Sequence, residues 1–231
     1  MTAIPIGKKN ARQILFCFWT GKNMLTENRI KNLETLPNTK LEVHFINMAN
    51  INDYVLKDHP LHPGYEYLSA VHKSDYLRTY FMHFYGGAYS DIKKQDQSFL
   101  IALKELNDDE DKWLIGYPEE KPNDIAKVKN KRLYEKMKEN YNLLLGNGSY
   151  IVKPNTPFTQ KWYKELLKTM DKYYNQLVKY PAKTVRQIYS KEYKYPFRWS
   201  QLLGEIFHPL CLKYNKHILR TLKAPSMEDY I

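Results

Sequence analysis

Residues 13–46, QILFCFWTGKNMLTENRIKNLETLPNTKLEVHFI, hold two short apolar runs separated by an amphipathic stretch. Gln13 to Phe18 and Leu41 to Ile46 have the length and continuous hydrophobicity of strands buried on both faces. Between them Met24, Leu25, Ile30, Leu33 and Leu36 mark one side of a helix that stops before Pro37. Strand, helix, strand at this spacing is a βαβ unit, which predicts an α/β fold with a parallel sheet.

Outward from this unit, the pattern predicts a long helix from about Tyr65 to Tyr85, stopped by Gly86-Gly87, and a short strand from Ala88 to Ile92. Trp113 to Tyr117 and Ser149 to Val152 read as further strands. The charge run Asp108 to Lys112 and the stretch Glu119 to Asn130 read as loops or solvated surface. The C-terminal third is helical in character, over Thr156 to Tyr174, Ala182 to Tyr189 and Trp199 to Tyr214. With no repeat, low-complexity tract or Gly/Ser linker, the 231 residues read as one domain, a mixed, mostly parallel sheet with a helical C-terminal cover.

Composition excludes several classes. At 43% hydrophobic residues, with 20 tyrosines, the chain can bury a sizeable core and lies outside the disordered class. No stretch approaches the ~18 uncharged apolar residues of a membrane span, and the start MTAIPIGKKNARQ lacks the apolar segment of a secretion signal, so a cytoplasmic location is the expectation. Cys17 and Cys211 form no ligand or redox motif and read as unpaired thiols, Cys17 buried within the apolar run Ile14 to Trp19. The 36 Lys and Arg against 25 Asp and Glu give a net charge of +11, which fits an anionic small substrate, a polyanion or peripheral contact with an anionic membrane surface. Zinc-finger spacing, an RRM signature and a basic region with heptads are all missing, so nucleic acid is not the expected partner.

The chemistry concentrates in Ser74 to Lys94, SDYLRTYFMHFYGGAYSDIKK. On a helix Asp75 and Arg78 stand three residues apart and project from one face, with Leu77, Tyr80, Phe81 and Phe84 on the opposing apolar side. The strand after the glycine pair carries Asp91 to the carboxyl end of the sheet, where open α/β folds bind ligands. The bland alternative is an Asp75–Arg78 surface pair worth a few tenths of a kcal/mol.

The order Ser74-Asp75-Tyr76-Leu77-Arg78, apolar helix, Gly86-Gly87-Ala88-Tyr89-Ser90-Asp91-Ile92-Lys93 resembles the Asp-x-Asp glycosyltransferases of the donor-sugar-binding-region family. That family includes yeast initiating mannosyltransferases, clostridial glucosylating toxins, and capsule and viral glycan enzymes. Phe18-Trp19-Thr20-Gly21 is similar to the W-x-G turn with which these enzymes hold the nucleotide, and Asn147-Gly148-Ser149 leading to Lys153-Pro154 resembles a later donor-pocket segment. The resemblance implies a GT-A fold and transfer of a hexose from a nucleotide-diphosphate sugar, UDP favoured, to a glycan or lipid-linked acceptor. Residues 1–117 would then bind the donor and 118–231 form the acceptor side.

Carried over by position, the resemblance makes Trp19 and Thr20 the nucleotide turn, with Trp19 stacking on the base. Asp75, Arg78, Gly87, Tyr89, Asp91, Lys93 and Asn147 become donor-binding residues, with Asp91 and Arg78 catalytic. Glu205 is a further catalytic candidate, and His208, three residues on, is a candidate with Asp91 for a divalent cation, Mn²⁺ or Mg²⁺. The second carboxylate of Asp-x-Asp is Lys93 in this chain. Three arrangements follow: Asp91 alone holds the cation with phosphate oxygens and water, Lys93 itself offsets the diphosphate, or Asp96 substitutes after a turn. The expectation adopted is retained but weaker metal use. A non-catalytic sugar- or polyanion-binding module on the same fold is the competing function.

Overall fold

The computed structural model describes residues 4–184, 192–226 and 228. The first strand, β1 (Ile14–Trp19), continues through α1 (Glu27–Thr35) to β2 (Glu42–Asn47), as the two apolar runs predict. A 3-10 turn and Ser69 precede α2 (Ala70–Phe84), which leads to β3 (Gly87–Ser90). Then come α3 (Leu100–Asp108), β4 (Leu114–Pro118), α4 (Lys131–Glu139), β5 (Leu145–Val152), α5 (Pro157–Lys179), α6 (Gly204–Lys213) and β6 (Ile218–Leu219).

The strands form one six-stranded sheet in the order β2-β1-β3-β5-β4-β6. β1 is parallel to β2 and β3, and β4 is parallel to β6. β5 runs antiparallel to both β3 and β4, so the sheet is mixed, mostly parallel and open, compatible with a Rossmann-like domain. Alternation along β1 divides the core: Phe16 and Phe18 face one layer with α2, α5 and α6, while Leu15 and Cys17 face the other with Leu36, Leu103 and Leu106. The first layer is an aromatic mass in which Phe81 meets Phe16 at 5.0 Å and Phe18 at 5.1 Å between ring centroids.

Several boundaries differ from the sequence reading. The helix expected from Tyr65 begins at Ala70, because Ser69 accepts from the His72 amide as N-cap and Pro63–Tyr67 is a separate 3-10 turn. It ends as expected, with Gly86 at φ +65° donating to the Phe81 carbonyl. The helix expected from Trp199 begins at Gly204, and β3 ends at Ser90, before Asp91. The helix expected at Ala182 to Tyr189 falls mostly outside the described residues, and 182–184 have no regular structure. Among the described residues no helix is long and apolar enough to cross a membrane.

The connectivity fixes where a ligand can sit. From β1 the chain crosses to β2 on one side, then returns through α2 to β3 on the other side of β1. This is a topological switch point, and the crevice beyond the carboxyl ends of β1 and β3 is where open α/β sheets bind ligands. Because β5 is antiparallel, its early residues lie at that same edge: Ser149 pairs with Ser90, and Gly148 accepts the Asp91 amide at 2.8 Å.

Candidate functional site

A cavity of about 660 Å³ opens at this switch point. Its walls are the end of β1 from Phe18 to Gly21, the α2 stripe of Ala70, Val71, Ser74, Asp75 and Arg78, the 89–93 segment, Asn147-Gly148, and residues near Trp199 and His208. The stripe follows helical spacing, so one face of α2 lines the cavity while Leu77 and Phe81 enter the core.

Asp91 is the centre of the polar cluster. Its Oδ1 accepts the Tyr89 hydroxyl at 2.6 Å and lies 3.1 Å from Arg78 Nη2, while Oδ2 lies 2.9 Å from Lys93 Nζ. Burial works against its charge, but Arg78, Lys93 and the Tyr89 hydrogen bond outweigh it and hold the carboxyl below the usual carboxylate range. Lys93 reaches Asp91 not by strand alternation but through a tight turn in which its amide donates to the Asp91 carbonyl at 2.7 Å.

Arg78 ties three segments together. Its guanidinium lies 4.4 Å from the Tyr89 ring centroid, donates from Nη1 to the Asn147 carbonyl at 2.9 Å, and stands 3.9 Å from Asp75. Arg78 Nε and Asn147 Oδ1 are buried without a hydrogen-bond partner among the described residues, leaving unused polar capacity beside the cavity. Asp75 is buried, not at the surface as the bland alternative had it. Burial, reinforced by the charge of Asp91 and opposed by Arg78, pushes its pKa up to about 7. It is therefore a carboxyl that both accepts and donates near neutral pH.

The remaining expected residues divide into two groups. Trp19 and Thr20 line the cavity: the Trp19 indole donates to the Asn23 carbonyl at 2.8 Å, which fixes the ring, and Thr20 donates to the Ala70 carbonyl at 2.5 Å. Gly87 is absent from the lining; at φ +103° a Cβ there would lie 2.9 Å from the Ile14 carbonyl oxygen, so its role is the close approach of β3 to β1. Glu205 is also off the cavity wall, bound in an ion pair to Arg198. His208 borders the cavity, but Nδ1 accepts the Ala126 amide at 2.9 Å, and Nε2 sits 3.1 Å from Asn147 Nδ2, 3.2 Å from the Leu145 carbonyl oxygen and 3.4 Å from Glu119. It braces the 124–127 loop against β5, and neither nitrogen is left for a cation. Asp96 is exposed and does not line the cavity.

Other lining residues escaped the sequence reading. Arg29 lies on α1 and donates to the Ile92 carbonyl at 2.9 Å. Asp124 and Lys127 come from the stretch read as solvated, which folds inward through buried Ile125 and Ala126. The apolar pair Ile125-Ala126 within a charged stretch was the available signal. Trp199, 54% exposed, adds a second indole to the rim.

Both Asp91 oxygens already face donors, Tyr89 and Arg78 at Oδ1 and Lys93 at Oδ2. A cation on either oxygen would displace a donor or stand beside a fixed positive charge. Unit charges about 4 Å apart repel by roughly 4 kcal/mol at an effective dielectric of about 20, and a divalent ion doubles this. The residues present therefore do not fit a carboxylate cation cradle. The thiols take no part: burial pushes Cys17 and Cys211 each up to about 12. No family model, curated protein or solved structure matches the chain.

Proposed function

We propose that the protein is a glycosyltransferase of GT-A type that moves a hexose from a nucleotide-diphosphate sugar, UDP favoured, to a hydroxyl of a glycan or lipid-linked acceptor. The observation that carries the reading is the convergence of Asp75, Arg78, Asp91 and Lys93 on one cavity, at the sheet's switch point, with Trp19 on its wall. The volume, about 660 Å³, is within the range of pockets that enclose a ligand of this size.

Each group has a role its chemistry suits. Trp19 offers a fixed aromatic face to the base. Asp75 accepts from ribose or sugar hydroxyls, and Arg78, clamped by Asp91 and the Asn147 carbonyl, presents a fixed donor fork. Lys93, on the cavity wall, would offset the charge of a diphosphate. In the transfer the acceptor oxygen bonds to the anomeric carbon, the bond from that carbon to the diphosphate breaks with its electron pair on the phosphate oxygen, and the acceptor's proton passes to that oxygen. Preorganised cations aimed at the developing charge supply most of such catalysis.

A second reading, a sugar- or polyanion-binding module without turnover, is favoured by one observation: Lys93 neutralises Asp91 in the resting site. Release of nucleoside diphosphate from a panel of UDP- and GDP-sugars separates the two. Turnover lost in Asp91→Asn supports the transferase, whereas donor binding with no turnover under any condition supports the module.

A further inference from the structure

We infer that Lys93 takes the place a divalent cation would hold beside Asp91, so that the cavity binds a nucleoside diphosphate through protein cations alone. The inference rests on the nucleotide-sugar reading above and makes it more specific.

Four observations carry it. The Lys93 ammonium sits 2.9 Å from Asp91 Oδ2, and Tyr89 and Arg78 face Oδ1, so both carboxylate oxygens already face donors of the chain itself. The lysine is held in position: its own amide closes a turn onto Asp91, the preceding Ile92 carbonyl is fixed by Arg29, and the side chain is 11% exposed. The space beside it is kept open by Gly148, where a Cβ would lie 3.3 Å from Lys93 Nζ and 3.4 Å from Asp91 Oδ2. Finally, the lining holds the cations Arg29, Arg78, Lys93 and Lys127 against Asp75, Asp91 and Asp124, and burial keeps Asp75 partly protonated near neutral pH. The balance is already positive, and a lysine ammonium acts on phosphate as a point charge. A carboxylate at position 93 would lower the charge of this wall by two units and restore the need for a metal.

Calorimetry of UDP and GDP with the unmodified protein, in EDTA and then in Mn²⁺, tests this. The expected result is the same affinity in both. Lys93→Ala should weaken UDP about 10- to 150-fold, the range of one charge-assisted hydrogen bond, while leaving uridine binding unchanged. Lys93→Asp should bind UDP only when Mn²⁺ is added, a gain of dependence that a merely structural lysine would not produce. Binding by the unmodified protein that disappears in EDTA and returns with Mn²⁺ would overturn the inference while leaving the nucleotide-sugar reading intact. Failure of every nucleotide to bind in either buffer would overturn both.

Discussion

Asp75→Asn gives a worked test of the buried cluster. The carboxyl is buried in the cavity wall, with a pKa pushed up from 3.8 to about 7. A group whose folded pKa exceeds its unfolded value binds more protons in the native state between those two values, so its ionisation makes stability fall as pH rises through that window. The displacement is about three pH units at about 1.4 kcal/mol each, an upper bound near 4 kcal/mol. Asparagine keeps the shape and never ionises. Urea unfolding of the two proteins from pH 4 to pH 8 should therefore show similar stability near pH 4, where Asp75 is protonated in the native state. The variant should gain steadily above pH 5 and hold an advantage of up to about 4 kcal/mol by pH 8. A difference that is independent of pH, or a variant that becomes the less stable one as pH rises, would refute the placement of Asp75 in a desolvated wall beside Asp91.

Asp91→Asn should destabilise the fold by about 3–5 kcal/mol, because Arg78 and Lys93 are left without their shared carboxylate. At 2–4 °C per kcal/mol the melting temperature falls by roughly 6–20 °C, and adding Lys93→Met should recover part of it; a double variant no better than the single one would contradict the charge argument. Gly87→Ala should cost at least about 2 kcal/mol through its φ of +103° and the contact with Ile14, measured by thermal melting, without a separate effect on nucleotide affinity in the folded fraction. Trp19→Ala should weaken nucleotide binding by roughly 5- to 150-fold, one stacked base, with the melting temperature little changed.

The first βαβ unit was legible because β1 is a short continuous apolar run and is buried as expected, whereas β2, expected to be buried too, is a half-exposed edge strand in which only Ile46 is buried. Strand direction was not: Ser149 to Val152 is equally apolar in either orientation, and only its pairing shows β5 running against β3. The start of α2 was misplaced because Tyr65 and Leu68 extend the apolar pattern through a 3-10 turn, while the Ser69 cap is a single side-chain hydrogen bond. Among the site residues, Asp75, Arg78, Tyr89, Asp91 and Lys93 were legible because they lie within twenty residues of each other and share a helix, a strand and its exit. Lys93 meets Asp91 through a turn beyond the end of β3, a contact that no strand periodicity encodes. His208 was implied by the resemblance and Glu205 by its helical spacing from His208, and spacing shows that two residues share a face but not what that face meets. The face of His208 meets a backbone amide and an asparagine. Arg29 reaches the cavity from α1, where nothing local distinguishes it from a solvated charge, and Lys127 is marked only by the apolar pair Ile125-Ala126 before it.

A crystal structure of the protein soaked with UDP in EDTA tests the central claim most directly. The account predicts the base against Trp19, the ribose within hydrogen-bond reach of Asp75, and the diphosphate on Lys93 with no metal density between them. UDP seated instead in the smaller hollow between Ile6, His59 and His83, or its absence from the switch-point cavity at saturating concentration, would contradict it.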